Sequence, residues 1–277
     1  MKQASMAAFK LTMRLYSTVA PNAAARLFAR KFATPRRFPE KPQETEWMRT
    51  ARSRRLPFDG ANSLAVYEWG DGPVIVLLHG YEGRAAQLGG FARPLVESGY
   101  RVVAFDAPAH GTSDGQRSTV QEMAKALDAV ARDVGPVDAI IAHSLGTTAL
   151  VYCLEKGLHC EKAILISPPA QPDTFLTGIA RFIGVRPRAA GRAQRLLEEE
   201  FGAPFEAFRP LLAVPTLSQK ALVIHDASDR QVLIRDGEEI ARNWPGAEFE
   251  MTDGLGHTRL LRDPGVVART LAFLQRP

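Results

Sequence analysis

Short apolar runs alternate along most of this chain with longer stretches whose apolar positions recur at helical spacing. "VIVLLH" (74–79), "RVVAFD" (101–106), "DAIIAH" (138–143), "KAILIS" (162–167) and "KALVIH" (220–225) are nearly continuous in apolar residues. That is the pattern of strands covered on both faces. "EFEMT" (248–252) adds a shorter strand. Before them, "RRLPF" (54–58) and "LAVYEW" (64–69) flank Asp59-Gly60-Ala61-Asn62, a hairpin connection. Thr119 and Glu122 have capping-box spacing ahead of a helical pattern that ends at Gly135, and further helix-like segments follow Ser144, Val232 and Pro264. Strand–helix–strand succession predicts an α/β fold with an eight-stranded, mostly parallel sheet and an antiparallel first pair. About fifty residues between "LIS" and "KALVIH" are too many for a simple crossover. They predict a helical lid over about 170–215, inserted after the sixth strand, in which Phe175, Leu176, Phe182 and Ile183 either line an apolar pocket or seat the lid on the body.

Charge changes the picture at one end only. The chain of 277 residues carries a net charge of +5, yet residues 1–39 hold eight Lys/Arg and no acid, which leaves 27 bases against 30 acids elsewhere. The basic character therefore belongs to an N-terminal arm and linker (1–50) and not to the main domain (51–277), and no nucleic-acid partner is expected. Lys10 and Arg14 interrupt the apolar residues of the arm, so it lacks the core of a secretory signal. Three readings of it stay open: a transit peptide, a basic helix making peripheral contact with an anionic membrane, or a helix packed on the domain with a solvated basic face. The simplest is the packed helix. Cys153 and Cys160 have no metal spacing and fit two reduced thiols in a cytoplasmic protein.

The chemistry gathers around Ala142-His143-Ser144-Leu145-Gly146, which follows a strand and opens a helix. A serine on such a sharp turn is held out above the sheet, and its neighbours at −2 and +2 must be small. Alanine at 142 meets that demand where glycine is more usual. Serine is a weak nucleophile without a base, and the base needs an orienting carboxylate. His257, in the loop after the last strand, is the base candidate. Asp229, after the seventh strand, is the acid candidate, with Asp226 as runner-up. The backbone N–H groups of Leu145 and Tyr81 are the candidate oxyanion donors. Asp106 and His143 fit loop support better than chemistry.

Taken together, "HG" at His79-Gly80, "DAPAHGTS", "AHSLG", "HDASDRQV" and "GLGHTRLLRDP" resemble the α/β-hydrolase superfamily, in its order and over about residues 54–275, and especially its uncharacterised bacterial esterase-like members with a short lid. The chain departs from the commonest pattern at Ala142 and at Asp226, where glycine is frequent. The resemblance implies a Ser144/Asp229/His257 triad, a small acyl ester as substrate, and no metal or organic cofactor. The same triad would serve thioester hydrolysis or acyl transfer. A non-enzymatic binding scaffold is disfavoured by the intact set of residues.

Overall fold

The computed structural model describes residues 2–276. Eight strands form one sheet: β1 (Arg52–Asp59), β2 (Asn62–Trp69), β3 (Val74–Leu78), β4 (Arg101–Phe105), β5 (Val137–His143), β6 (Lys162–Ile166), β7 (Lys220–Asp226) and β8 (Glu248–Thr252). Their spatial order is β1-β2-β4-β3-β5-β6-β7-β8. The pairs β1–β2 and β2–β4 are antiparallel, and all others are parallel. The helices are α1 (Lys2–Val19), α2 (Pro21–Phe32), α3 (Pro42–Met48), α4 (Ala92–Glu97), α5 (Val120–Val134), α6 (Leu145–Glu155), α7 (Asp173–Ile183), α8 (Pro187–Phe201), α9 (Pro210–Ala213), α10 (Ile234–Asn243), α11 (Gly256–Arg259) and α12 (Pro264–Leu274).

Alternate residues of the central strands feed two cores. Val76, Leu78, Ile140, Ala142, Leu165 and Val223 face α5, α6 and α10, whereas Ile75, Leu77, Ile141, Ile164, Ile166 and Leu222 face α4 and α12. Burial on both faces explains why these strands read as unbroken apolar runs. β3 has β4 on one side and β5 on the other, so the chain reverses its winding direction beside β3. A crevice opens at the carboxyl ends of the strands at such a point, and ligands bind there. The turn after β3 and the turn after β5 both face this crevice.

α5 starts where the spacing of Thr119 and Glu122 predicted, but Thr119 makes no capping bond and its buried hydroxyl has no partner. α7, α8 and α9 occupy the interval after β6. α7 and α8 do not sit on the body alone. Ala24, Ala25, Phe28 and Ala29 of α2 pack with Leu176 and Ala180 of α7 and with Ala189, Ala190, Ala193 and Leu197 of α8. The many alanines let the helices approach closely. α1 lies over α2 and α7, and at Gly184, where α7 ends, a Cβ would stand 2.5 Å from the Lys10 carbonyl oxygen. Arm and lid therefore share a third core.

The linker is bonded just as closely. The Arg37 guanidinium donates to the carbonyls of Ala109, Gly111, Ser113 and Gly115 at 2.8–3.1 Å. The Arg84 side chain pairs with Glu44 of α3, both nearly buried. Ser118 N–H donates to the Ala33 carbonyl at 2.7 Å.

Candidate active site

Ser144 stands between β5 and α6 with φ 51° and ψ −126°. A left-handed φ at a non-glycine residue costs about 1–3 kcal/mol and persists only where its surroundings enforce it. Here Ser144 N–H donates to the Ile166 carbonyl at 2.9 Å and the Ser144 carbonyl accepts from Thr147 N–H at 2.9 Å. Packing does the rest. A Cβ on Gly146 would lie 2.5 Å from the His79 carbonyl oxygen, so the +2 position demands glycine. A Cβ on Gly80 would lie 2.8 Å from the Ser144 Cβ. Ala142, by contrast, is fully buried in the strand, paired between Leu78 and Leu165, and its methyl joins the α6-side core. The −2 position tolerates one carbon because that carbon points into the sheet packing and not into the turn.

The side chains of Ser144, His257 and Asp229 form one hydrogen-bonded line. Ser144 Oγ lies 3.0 Å from His257 Nε2, and His257 Nδ1 lies 2.7 Å from Asp229 Oδ2. The other Asp229 oxygen accepts from Gln231 N–H at 2.8 Å and Val232 N–H at 3.0 Å. Burial pushes the Asp229 carboxyl up. The neighbouring His225 and the bonded His257, with the Val232 N–H, outweigh that and hold it far below the usual carboxylate range. Asp229 is therefore a carboxylate throughout the neutral range.

Asp226 takes a different place. Its Oδ1 accepts from Ser228 N–H (3.0 Å) and Gly256 N–H (2.8 Å), and its Oδ2 from Thr252 Oγ1 (2.7 Å) and Leu255 N–H (3.0 Å). Both oxygens are filled, by Ser228 of its own loop and by residues 252–256 ahead of His257, and none is left for the imidazole. Burial raises the Asp226 carboxyl, but these bonds prevail and keep it below its ordinary range. The runner-up acid is thus a pin for the β8–α11 loop.

Tyr81 and Leu145 occupy the two turns at the crevice. Leu145 is the first residue of α6, so its N–H has no intrahelical acceptor, and among the described residues neither it nor Tyr81 N–H donates to backbone elsewhere. The turn Gly80–Gly83 closes through Gly83 N–H to the Gly80 carbonyl at 2.9 Å, with Glu82 at φ 57°. Two arm residues clasp it. The Tyr81 hydroxyl donates to the Phe32 carbonyl, and Arg36 forks onto Glu82 at 2.8–3.1 Å. Asp106 receives Ala85 N–H and Thr112 N–H at 2.8 Å, which ties neighbouring loops together as the sequence suggested.

A cavity of about 960 Å3 opens over Ser144, Leu145, Tyr81 and His257. Of the lid residues singled out in the sequence, Phe175 and Ile183 line it. Leu176 does not, being fully buried in the arm–lid core, and Phe182 is 60% exposed with Lys10 Nζ 4.2 Å from its ring centroid. Helical phase is the reason: Phe175, Ile179 and Ile183 recur every four residues and share the face turned to the cavity. Ile179 and Phe32 went unnoticed in the sequence. The i, i+4 pair Phe28/Phe32 in the arm marks an apolar face but says nothing of what it meets.

Three histidines at the site are held neutral. Burial pushes His79 down to about 4, and His110 and His143 to about 3. His79 Nε2 accepts from Ala107 N–H at 2.9 Å, so Nδ1 carries the proton and donates to the Gly80 carbonyl at 2.7 Å. His143 Nε2–H donates to the His257 carbonyl at 2.8 Å. The unfolded chain takes up a proton at each near the ordinary value of about 6.5, and the folded protein does not. Stability therefore falls as pH drops from about 6.5 toward 4, by about 1 kcal/mol per pH unit for each histidine. The melting temperature is expected to fall by ~10 °C between pH 7 and 5, and less steeply in His110→Asn. A flat profile over that interval would contradict neutral burial.

The sequence matches the profile of the alpha/beta hydrolase family over residues 75–270. No curated protein matches the chain. Among solved structures, an esterase from Pyrococcus furiosus superposes with TM-score 0.67 at 22% identity, covering 88% of this chain and 98% of that one. An esterase from Exiguobacterium antarcticum gives 0.63 at 16%, covering 81% and 100%. A bromoperoxidase from Bacillus anthracis gives 0.63 at 17%, covering 81% and 100%. At these identities the likeness is one of fold.

Proposed function

The chain belongs to the alpha/beta hydrolase family, and on that premise we propose that it is a serine hydrolase cleaving carboxylic esters through an acyl-enzyme on Ser144. The observation that carries this reading is the unbroken line Asp229–His257–Ser144, with 2.7 and 3.0 Å between successive partners, in a cavity walled in part by Phe32, Phe175, Ile179 and Ile183. In the first half-reaction Ser144 Oγ attacks the acyl carbonyl carbon while His257 Nε2 takes its proton. Asp229 stabilises the imidazolium at Nδ1. The Tyr81 and Leu145 N–H groups donate to the oxyanion. The C–O bond to the alcohol then breaks and His257 returns the proton to it. Water repeats the sequence on the acyl-enzyme and releases the acid. Fluorophosphonate labelling and p-nitrophenyl ester hydrolysis by the wild type, both lost in Ser144→Ala, test the reading. Faster turnover of acyl-CoA than of any ester would move the substrate to thioesters on the same machinery.

We also propose a lipid-facing role for α1. Ala8, Leu11, Leu15 and Val19 recur at three- and four-residue spacing on the face opposite buried Met13 and Ser17, and Leu11, Leu15 and Val19 are 58%, 58% and 84% exposed. Arg14 borders this apolar stripe, in a segment of 39 residues without an acid. Such a helix suits the interface of an anionic bilayer. Deleting the arm would strip the arm–lid core, so substitution is the discriminating test. Wild type is expected to co-sediment with phosphatidylglycerol vesicles at low salt, and the triple variant Leu11→Ser, Leu15→Ser, Val19→Ser is expected to stay in solution with an unchanged melting curve. No sedimentation of the wild type would end this proposal.

A further inference from the structure

Two cavities meet at one arm residue. Phe32, Tyr81, Leu145, Pro172 and Phe175 wall both the cleft over Ser144 and a second chamber of about 30 Å3. The far wall of that chamber is Thr119, Val120, Phe205 and Phe208. It is large enough for little more than one water, and its lining is apolar apart from Thr119. Phe32 is the centre of the partition. Its ring contacts those of Phe28, Tyr81, Phe175 and Phe205 at centroid distances of 6.1–6.4 Å.

Of the other shared walls, Pro172 and Phe175 belong to the lid. Tyr81 and Leu145 present the candidate oxyanion N–H groups. Phe32 alone comes from the N-terminal arm, and its backbone carbonyl, not its ring, receives the Tyr81 hydroxyl. Its side chain can change while that tether stays.

We propose that Phe32 sets substrate specificity: its ring closes the inner end of the cleft and limits the length of acyl chain that can be bound. The proposal rests on the reading that an acyl group occupies this cleft. Removing the ring joins the cleft to the chamber between Val120 and Phe208 and lengthens the space open to an acyl chain. Each additional methylene buried there is worth about a fourfold gain in affinity.

The experiment measures fatty-acid binding, which needs no turnover. Calorimetry with octanoate and dodecanoate is performed on Ser144→Ala and on Ser144→Ala/Phe32→Ala. The ratio of dodecanoate to octanoate affinity is expected to rise by about 15-fold on removal of the ring, from about two further buried methylenes. Phe32→Leu, which keeps an apolar side chain in the aromatic cluster, gives a smaller rise in the same direction and serves where the alanine variant does not fold. An unchanged ratio, or no binding of either acid to any variant, overturns the proposal. Fluorophosphonate labelling of a Phe32→Ala variant that retains Ser144 runs in parallel. Labelling with an unchanged ratio removes the chain-length role and leaves the hydrolase reading. An altered ratio without labelling of the wild type does the reverse.

Discussion

Ser144→Ala is expected to lower kcat/KM on a p-nitrophenyl ester by at least ~10^4-fold and to abolish fluorophosphonate labelling, with the fold retained. The size follows from what the hydroxyl does. His257 Nε2, 3.0 Å away, has no other proton to withdraw from the enzyme, and the acyl-enzyme cannot form without Oγ. The residual rate then comes from binding and from the oxyanion donors. Alanine keeps the Cβ that packs against Gly80 and loses only the oxygen, so the melting curve is expected to change little. A variant that retains even a tenth of the activity would remove Ser144 from the nucleophile's role.

Asp229→Asn and Asp226→Asn are expected to separate chemistry from loop support. In the first, an amide replaces the carboxylate that holds the His257 Nδ1 proton at 2.7 Å. The imidazole then favours the tautomer with its proton on Nε2, facing Ser144, and cannot act as base. A fall in kcat of about 10^3 to 10^4-fold follows, with KM little altered. In the second, an amide N–H replaces one carboxylate oxygen and faces two of the four donors. The β8–α11 loop loses an anchor, so a lower melting temperature is expected, by about 2 kcal/mol of stability, with a smaller loss of kcat. Steady-state kinetics and thermal melts on both variants check this. The opposite ranking of the two kcat values would make Asp226 the triad acid.

Much of this could be read without coordinates, because strands and the elbow are written in local pattern. The apolar runs from Val74, Arg101, Asp138, Lys162 and Lys220 correspond closely to observed strands, since a strand buried on both faces needs only its own residues to be recognised. Ser144 was legible for a similar reason: the strand, the small neighbours and the helix start all lie within a few residues. His257 followed from chain order and from its loop after the last strand. The choice between Asp226 and Asp229 was finer. The two are three residues apart, and only the way the β7 and β8 loops meet gives one the imidazole and the other the backbone of 255–256.

Other features depended on packing between distant segments. Helical periodicity marked α7 as apolar on one side, but its rotation against α2 and α8 sends Leu176 into the arm–lid core and brings Ile179 to the cavity. Nothing near Thr119 announced that its capping bond would be absent. The arm was the least legible part. Its basic charge and apolar residues left an address, a membrane anchor and a packed helix open, with the packed helix the simplest. What it touches is set by contacts such as Phe32 to Tyr81 and Arg37 to Gly115, 49 and 78 residues away along the chain. By itself the sequence determined the sheet, the nucleophile candidate and its histidine, because those rest on local periodicity and order. Only the tertiary structure decided the acid's geometry, the wall of the pocket and the place of the arm, because those depend on which faces of separate elements come together.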